Sequence, residues 1–68
     1  MEHVLLKIYD IRGRLVKTLT NKIYSKGFHS IYWNGKNKYG NNVSSGIYFY
    51  RMTTNEGYAK SFKMILMK

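Results

Sequence analysis

Few side chains of this 68-residue sequence could do acid–base chemistry, because it holds three acids and two histidines. Glu2 is terminal, whereas Asp10 and Glu56 lie in stretches whose Gly and Asn content predicts turns. His29 shares one face of a predicted strand with Ile31 and Trp33, so we expect it to pack there and not to act as a general base or a ligand. No Ser lies in a nucleophile elbow or beside a credible His and Asp partner. These residues predict no catalytic site and no enzyme.

The loop after Trp33 superficially resembles a calcium-binding loop, because it is rich in side-chain amides and glycine. Its amides are Asn34, Asn37, Asn41 and Asn42. Calcium sites of useful affinity need several carboxylates, and this loop has none. Lys36 and Lys38 would also repel a dication. We therefore expect turns here, with no metal and no cofactor.

The charge is strongly positive, with twelve Lys and Arg against three acids and a net charge of +9. This balance indicates either a polyanion partner or a solubilising surface whose lysines protect strand edges. The cations are spread along the chain and form no block, which favours the second interpretation.

A small basic β-barrel that binds nucleic acid is the main alternative. Lys26, Gly27 and Phe28 resemble the aromatic strand of cold-shock domains. The match is short, and His29 and Ser30 stand where a second aromatic is expected. Many of the tyrosines are also needed to fill a core, so the residues weigh against a nucleic-acid partner.

Length and composition limit the possible architectures. The chain has no Cys and no apolar run near the roughly 20 residues of a membrane span, so it predicts neither disulfides nor a transmembrane segment. At 68 residues it is one domain of marginal core size.

The elements that must position these residues are strands. Alternation over residues 3–9 predicts a first strand with Val4, Leu6 and Ile8 on one face. A tight turn at residues 10–13 leads to a second strand at 14–20, in which a bulge near Lys17 reconciles the apolar positions.

Three further strands are predicted after a polar connection at residues 21–27. They cover residues 28–33, 46–52 and about 58–67, with a hairpin turn at 53–57. His29, Ile31 and Trp33 are expected on one face of the third strand. The predicted fold is all-β, a small antiparallel immunoglobulin-like β-sandwich of about five strands.

Ordered motifs along the chain form a family pattern: IYDIRGRLVKTL, WNGKNKYG, SSGIYFY and KSFKMILMK. Together they resemble the C-terminal immunoglobulin-like module shared by type IX secretion sorting domains and the related domain of the flagellar hook-cap protein FlgD. The residues that match this signature are Tyr9, Asp10, Gly13, Trp33, Gly35, Gly40, Gly46 and Tyr48.

Two departures from the family pattern affect what the resemblance implies. Asn34 stands where the family has Asp, which removes support for a cation role of the loop. Family members usually carry a further strand before the position of Val4. We therefore expect one domain over residues 1–68, N-terminally truncated, with an open sheet edge that pairs or swaps with a second copy through residues 4–9.

The resemblance implies a non-catalytic C-terminal module of a larger secreted or cell-surface bacterial protein that passes through the periplasm. Its role would be an outer-membrane sorting signal or surface attachment, or alternatively a structural building block in an extracellular assembly. The partners would be the secretion machinery or neighbouring domains, met by strand addition. The expected contact residues are cations of the last two strands: Arg51, Lys60, Lys63 and Lys68.

Overall fold

The computed structural model describes residues 1–67, which form four antiparallel strands in one sheet. The strands are β1 (Glu2–Tyr9), β2 (Leu15–Tyr24), β3 (Gly46–Thr54) and β4 (Ala59–Leu66). Their order across the sheet is β2-β1-β3-β4. The all-β prediction is confirmed, but these residues form one sheet of four strands and not a two-layer sandwich of five. The described part of the chain contains no helix with the length and hydropathy of a membrane span.

The β1–β2 hairpin contains the predicted irregularity. The pairing register shifts between Leu6 and Lys7 and again between Ile8 and Tyr9, so β2 carries two extra residues, Leu19 and Val16. A bulge lets a residue that breaks alternation keep its side chain on the buried face. Val16 is buried as a result, and Leu19 packs against the core. β2 also runs on to Tyr24, where the sequence predicted a polar connection from residue 21.

β1 lies in the middle of the sheet, because it pairs with β2 on one side and with β3 on the other. The expectation of an open edge at residues 4–9 is therefore wrong: β1 offers no free backbone to a second copy. The two edges of the sheet are β2 and β4. β3 and β4 join through the predicted hairpin turn, in which Gly57 has φ 90° and its N–H donates to the Thr54 carbonyl at 3.2 Å.

The third predicted strand, residues 28–33, is wrong. These residues form no ladder with any strand. Both sides of β1 and both sides of β3 are paired with other strands, and the segment pairs with neither of the two edge strands, β2 and β4. Phe28 is fully exposed. His29 is exposed as well and does not pack beside Trp33. Its Nε2 lies 2.7 Å from the Ser25 carbonyl, and its ring meets the edge of Tyr24 at 4.9 Å between centroids.

The core lies on one face of the sheet, which we call the inner face. Ile8, Val16 and Tyr48 are buried there, and the connecting segment 25–45 crosses this face to bring Trp33 and Val43 against them. Burial of an Ile side chain such as Ile8, which is 1% exposed, contributes about 1.5–3 kcal/mol.

The opposite face, which we call the outer face, has no covering layer within residues 1–67. Because strand side chains alternate, it carries the residues between those of the core. The solvent-accessible surface of the chain is 5233 Å², whereas a folded protein of 8.1 kDa exposes about 4,500 Å². The molecule therefore exposes more surface than its mass requires, as expected for a sheet covered on one side.

Candidate interaction surface

Asp10 organises the β1–β2 turn through its carboxylate. Oδ1 accepts from the backbone N–H groups of Arg12 and Arg14, both at 2.9 Å, and Oδ2 accepts from Arg14 Nε at 3.1 Å. The bond from the Arg14 backbone is the main cause that lowers the pKa of Asp10 from its ordinary value of 3.8, with Arg12 and the Arg14 side chain adding to it. Gly13 has φ 81°, which an L-residue rarely adopts.

Trp33 and Tyr48 join the connecting segment to the sheet. Their rings meet edge to face at 5.2 Å between centroids. Trp33 Nε1 donates to the Lys36 carbonyl at 2.8 Å, and the Tyr48 hydroxyl donates to the Ser44 carbonyl at 2.7 Å. A tyrosine bonded to backbone a few residues upstream is a tyrosine corner, a feature of immunoglobulin-like domains.

The Asn-rich loop uses its side chains to fold its own backbone. Asn34 Oδ1 accepts from Lys36 N–H, and Asn37 Oδ1 accepts from the N–H groups of Tyr39 and Asn41, at 2.9–3.1 Å. The remaining signature glycines are found at turns of this region: Gly35 is buried with φ 75°, Gly40 has φ 83°, and Gly46 begins β3. The signature is thus a set of structural residues that hold turns and the core.

Strand β4 forms an open edge of the sheet. Thr54 N–H donates to the Tyr58 carbonyl at 2.9 Å, so Thr54 and Tyr58 are a hydrogen-bonded pair. Such pairs alternate along an antiparallel ladder, which directs the N–H and C=O groups of every second β4 residue away from β3. The β4 residues with outward backbone groups are Ala59, Ser61, Lys63 and Ile65, and within residues 1–67 no strand pairs with these outward groups.

The other edge, β2, is better protected. Its two bulges distort the ladder, and the Lys38 N–H donates to the Val16 carbonyl on this edge at 2.9 Å. Bulges and covering loops are the usual ways to prevent pairing of an edge strand. β4 is therefore the edge of the sheet at which another strand can add.

The structure separates the expected contact residues. Arg51 and Lys63 both lie on the outer face. Lys63 pairs with Phe49 on β3, and Phe49 is two residues from Arg51, so the three side chains are on the same face. Lys60 lies on the inner face, its Nζ 5.6 Å from the centre of the Phe62 ring. Lys68 lies outside the described residues.

Lys7 is a cation of the same surface that sequence reasoning did not select. It stands directly opposite Arg51 in the β1–β3 ladder. Alternation along β1 placed Lys7 opposite the core face, but which strand lies next to β1 is a long-range choice that alternation does not contain.

The carboxylates of Glu2 and Glu56 lie away from this surface. Hydrogen bonding to Glu56, with like-charge repulsion from the same residue, raises the pKa of Glu2. Both carboxylates border an open cavity of about 750 Å³ between the inner face and residues 25–31. Within residues 1–67, no three His, Cys, Asp or Glu side chains come together as metal ligands. The cavity reflects incomplete packing of the connecting segment on this half of the sheet.

Residues 1–57 match the family model described as the FlgD Ig-like domain. Comparisons with curated proteins and with solved structures gave no match.

Proposed function

Because the chain belongs to the FlgD Ig-like domain family, we propose that it is a non-catalytic module of a larger exported bacterial protein. Its role is to direct that protein through the outer membrane as a type IX sorting signal and to engage the cell surface or secretion machinery there. The observation that supports this role is the open edge of β4. The signature residues of the family hold the turns and the core and do not lie at this edge.

The β4 edge supplies the affinity in this proposal. Three consecutive outward positions, Ser61, Lys63 and Ile65, offer unpaired N–H and C=O groups to an added strand. In β-strand addition the main chain provides the hydrogen bonds and the alternating side chains provide specificity. The Lys63 side chain next to this edge favours a partner strand with carboxylates over a second copy of β4.

The test is a reporter fusion. A periplasmic reporter with a signal peptide carries this chain at its C-terminus in a bacterium that has type IX secretion. The expected result is reporter at the cell surface or in the medium with the wild-type chain. The Ser61→Pro variant should hold the reporter in the periplasm, because proline removes the outward N–H.

Ser61→Ala is the matched control, since it removes the hydroxyl but keeps the backbone donor, and it should be exported like wild type. Protease resistance of the periplasmic fusions establishes that both variants are folded. A wild-type fusion that is folded yet remains in the periplasm would contradict the sorting role.

The second candidate is a structural building block of an extracellular assembly, as the FlgD name suggests. The same edge would then join neighbouring subunits of the assembly and not a secretion component. A photo-crosslinking residue at Ile65, on the outward side of β4, distinguishes the two. Crosslinks to copies of the parent protein support the building block, and crosslinks to outer-membrane secretion components support the sorting signal.

A further inference from the structure

Three cations lie together on the outer face. Lys7 and Arg51 form one cross-strand pair, and Lys63 stands in the adjacent row on β4. Asn55 N–H donates to the His3 carbonyl, so alternation makes Lys7 and Arg51 a hydrogen-bonded pair with Cα atoms about 5.5 Å apart. Like charges directly opposite each other destabilise a sheet. Repulsion between Lys7 and Arg51 therefore destabilises the sheet, and a bound anion would remove this destabilisation.

No carboxylate of the described residues compensates these cations. Asp10 is held by Arg14 in the hairpin turn. Glu2 pairs with Tyr24 at the far end of β1 and interacts with Glu56 beside the inner-face cavity. Arg51 Nη1 instead donates to the neutral Ser61 hydroxyl at 3.4 Å.

Apolar side chains surround the cations. Ile47 and Ile65 form a cross-strand pair on the outer face and are 40% and 65% exposed. Tyr9 and Phe49 lie opposite each other, and with Asp10, Arg51 and Ser61 they border a shallow hollow of about 240 Å³. The Asp10 carboxylate is bound by Arg14 in the turn. A partner that fits this face must bring both anionic and apolar groups.

A second copy of the chain does not meet that requirement, because the same face would oppose cations to cations. Nucleic acid fits less well than protein. Tyr9 and Phe49 are half-buried against their neighbours and do not offer free ring faces for stacking bases. Exposed isoleucines match apolar side chains of a polypeptide, and the planar guanidinium of Arg51 matches a carboxylate.

We propose that the outer face docks an acidic polypeptide surface in which carboxylates alternate with apolar side chains. Lys7, Arg51 and Lys63 bind the carboxylates, and the Ile47–Ile65 pair and the hollow receive the apolar groups. This surface uses the side chains of Lys63 and Ile65 on the outer face and not their backbone groups at the β4 edge, and it does not depend on the export role.

The test measures binding of the full chain to four polymers matched in total charge. They are a glutamate–tyrosine copolymer, poly-glutamate, heparin and single-stranded oligothymidylate. The copolymer should bind tightest and lose affinity as salt rises. The double variant Arg51→Gln with Lys63→Gln should bind it at least about tenfold more weakly, because two charge-assisted contacts are lost.

The charge-matched control is Lys22→Gln with Lys36→Gln, which changes net charge equally away from the outer face and should bind like wild type. Ile65→Ser should weaken copolymer binding and leave poly-glutamate binding unchanged. All exchanged residues are exposed, and circular dichroism verifies their folding. Equal losses in both double variants, or tighter binding of the oligonucleotide or heparin than of the copolymer, would overturn the proposal.

Discussion

The ionised carboxylate of Asp10 makes the stability of the β1–β2 turn depend on pH. Its folded-state pKa lies below the ordinary 3.8 because the carboxylate accepts from Arg14 and Arg12. A lowered pKa contributes stability that is present above 3.8 and is lost as pH falls through the folded-state value. We therefore expect Asp10→Asn to be less stable than wild type at neutral pH, with the difference shrinking below pH 3.8.

Urea unfolding of both proteins across this pH range measures the effect. Asn keeps an oxygen that can accept from the two backbone donors but lacks the charge, so the comparison isolates the ionised form. A stability difference that stays constant down to the lowest pH would contradict the assignment.

The Tyr48 hydroxyl donates to the Ser44 carbonyl at 2.7 Å. Tyr48→Phe keeps the ring against Trp33 and removes this bond, so it should cost about 1 kcal/mol of unfolding free energy. In a domain of this size that lowers Tm by about 4–8 °C. Tyr39→Phe is the matched control, because this side chain is 76% exposed, and its Tm should not change. If the two exchanges changed Tm equally, the hydrogen bond from Tyr48 to Ser44 would not contribute to stability as proposed.

At the scale of the elements, β4 has two kinds of position. Lys60 pairs with Met52 and directs its N–H to β3, whereas Ser61 directs its N–H outward. Proline at Lys60 should therefore destabilise the chain by about 1–3 kcal/mol, since a ladder bond is lost. Proline at Ser61 should cost no more than about 0.5–1 kcal/mol, as for other edge positions.

Thermal unfolding of the two proline variants decides this point, with Lys60→Ala as the control for loss of the lysine side chain. If Ser61→Pro were the more damaging exchange, the assigned register of the β3–β4 ladder would be wrong.

Residues 28–33 have the alternating sequence of a β-strand but do not form one. The alternation of Ile31 and Trp33 with polar neighbours is typical of a strand. A strand also needs a neighbouring strand for its backbone groups. β1 and β3 are paired on both sides, and residues 28–33 add to neither of the edge strands, β2 and β4. Instead the segment crosses the inner face and contributes Trp33 to the core.

For the whole molecule, exposed surface and charge have opposite effects on self-association. The open β4 edge allows two copies to pair, but Lys60 and Lys63 of one copy would then lie near those of the other. We expect self-association to increase between about 0.1 M and about 1 M salt, as the screening length falls from about 10 Å to about 3 Å. Binding of an acidic partner should weaken over the same range.

Sedimentation at increasing salt measures this prediction. Ser61→Pro should reduce the association, and Ser61→Ala should not. A wild-type chain that stays monomeric at high concentration in all salts, or a dimer that Ser61→Pro leaves unchanged, would exclude pairing through β4.

The sequence by itself determined the local features of this protein. The Asp10 turn and the Gly57 hairpin were predictable because their contacts span four residues or fewer, and the two faces of β1 were predictable because alternation needs no partner. Only the tertiary structure decided that β1 is central, that residues 28–33 are not a strand, and that Lys7 faces Arg51. These outcomes depend on which strands become neighbours, a choice between distant segments that no local pattern contains.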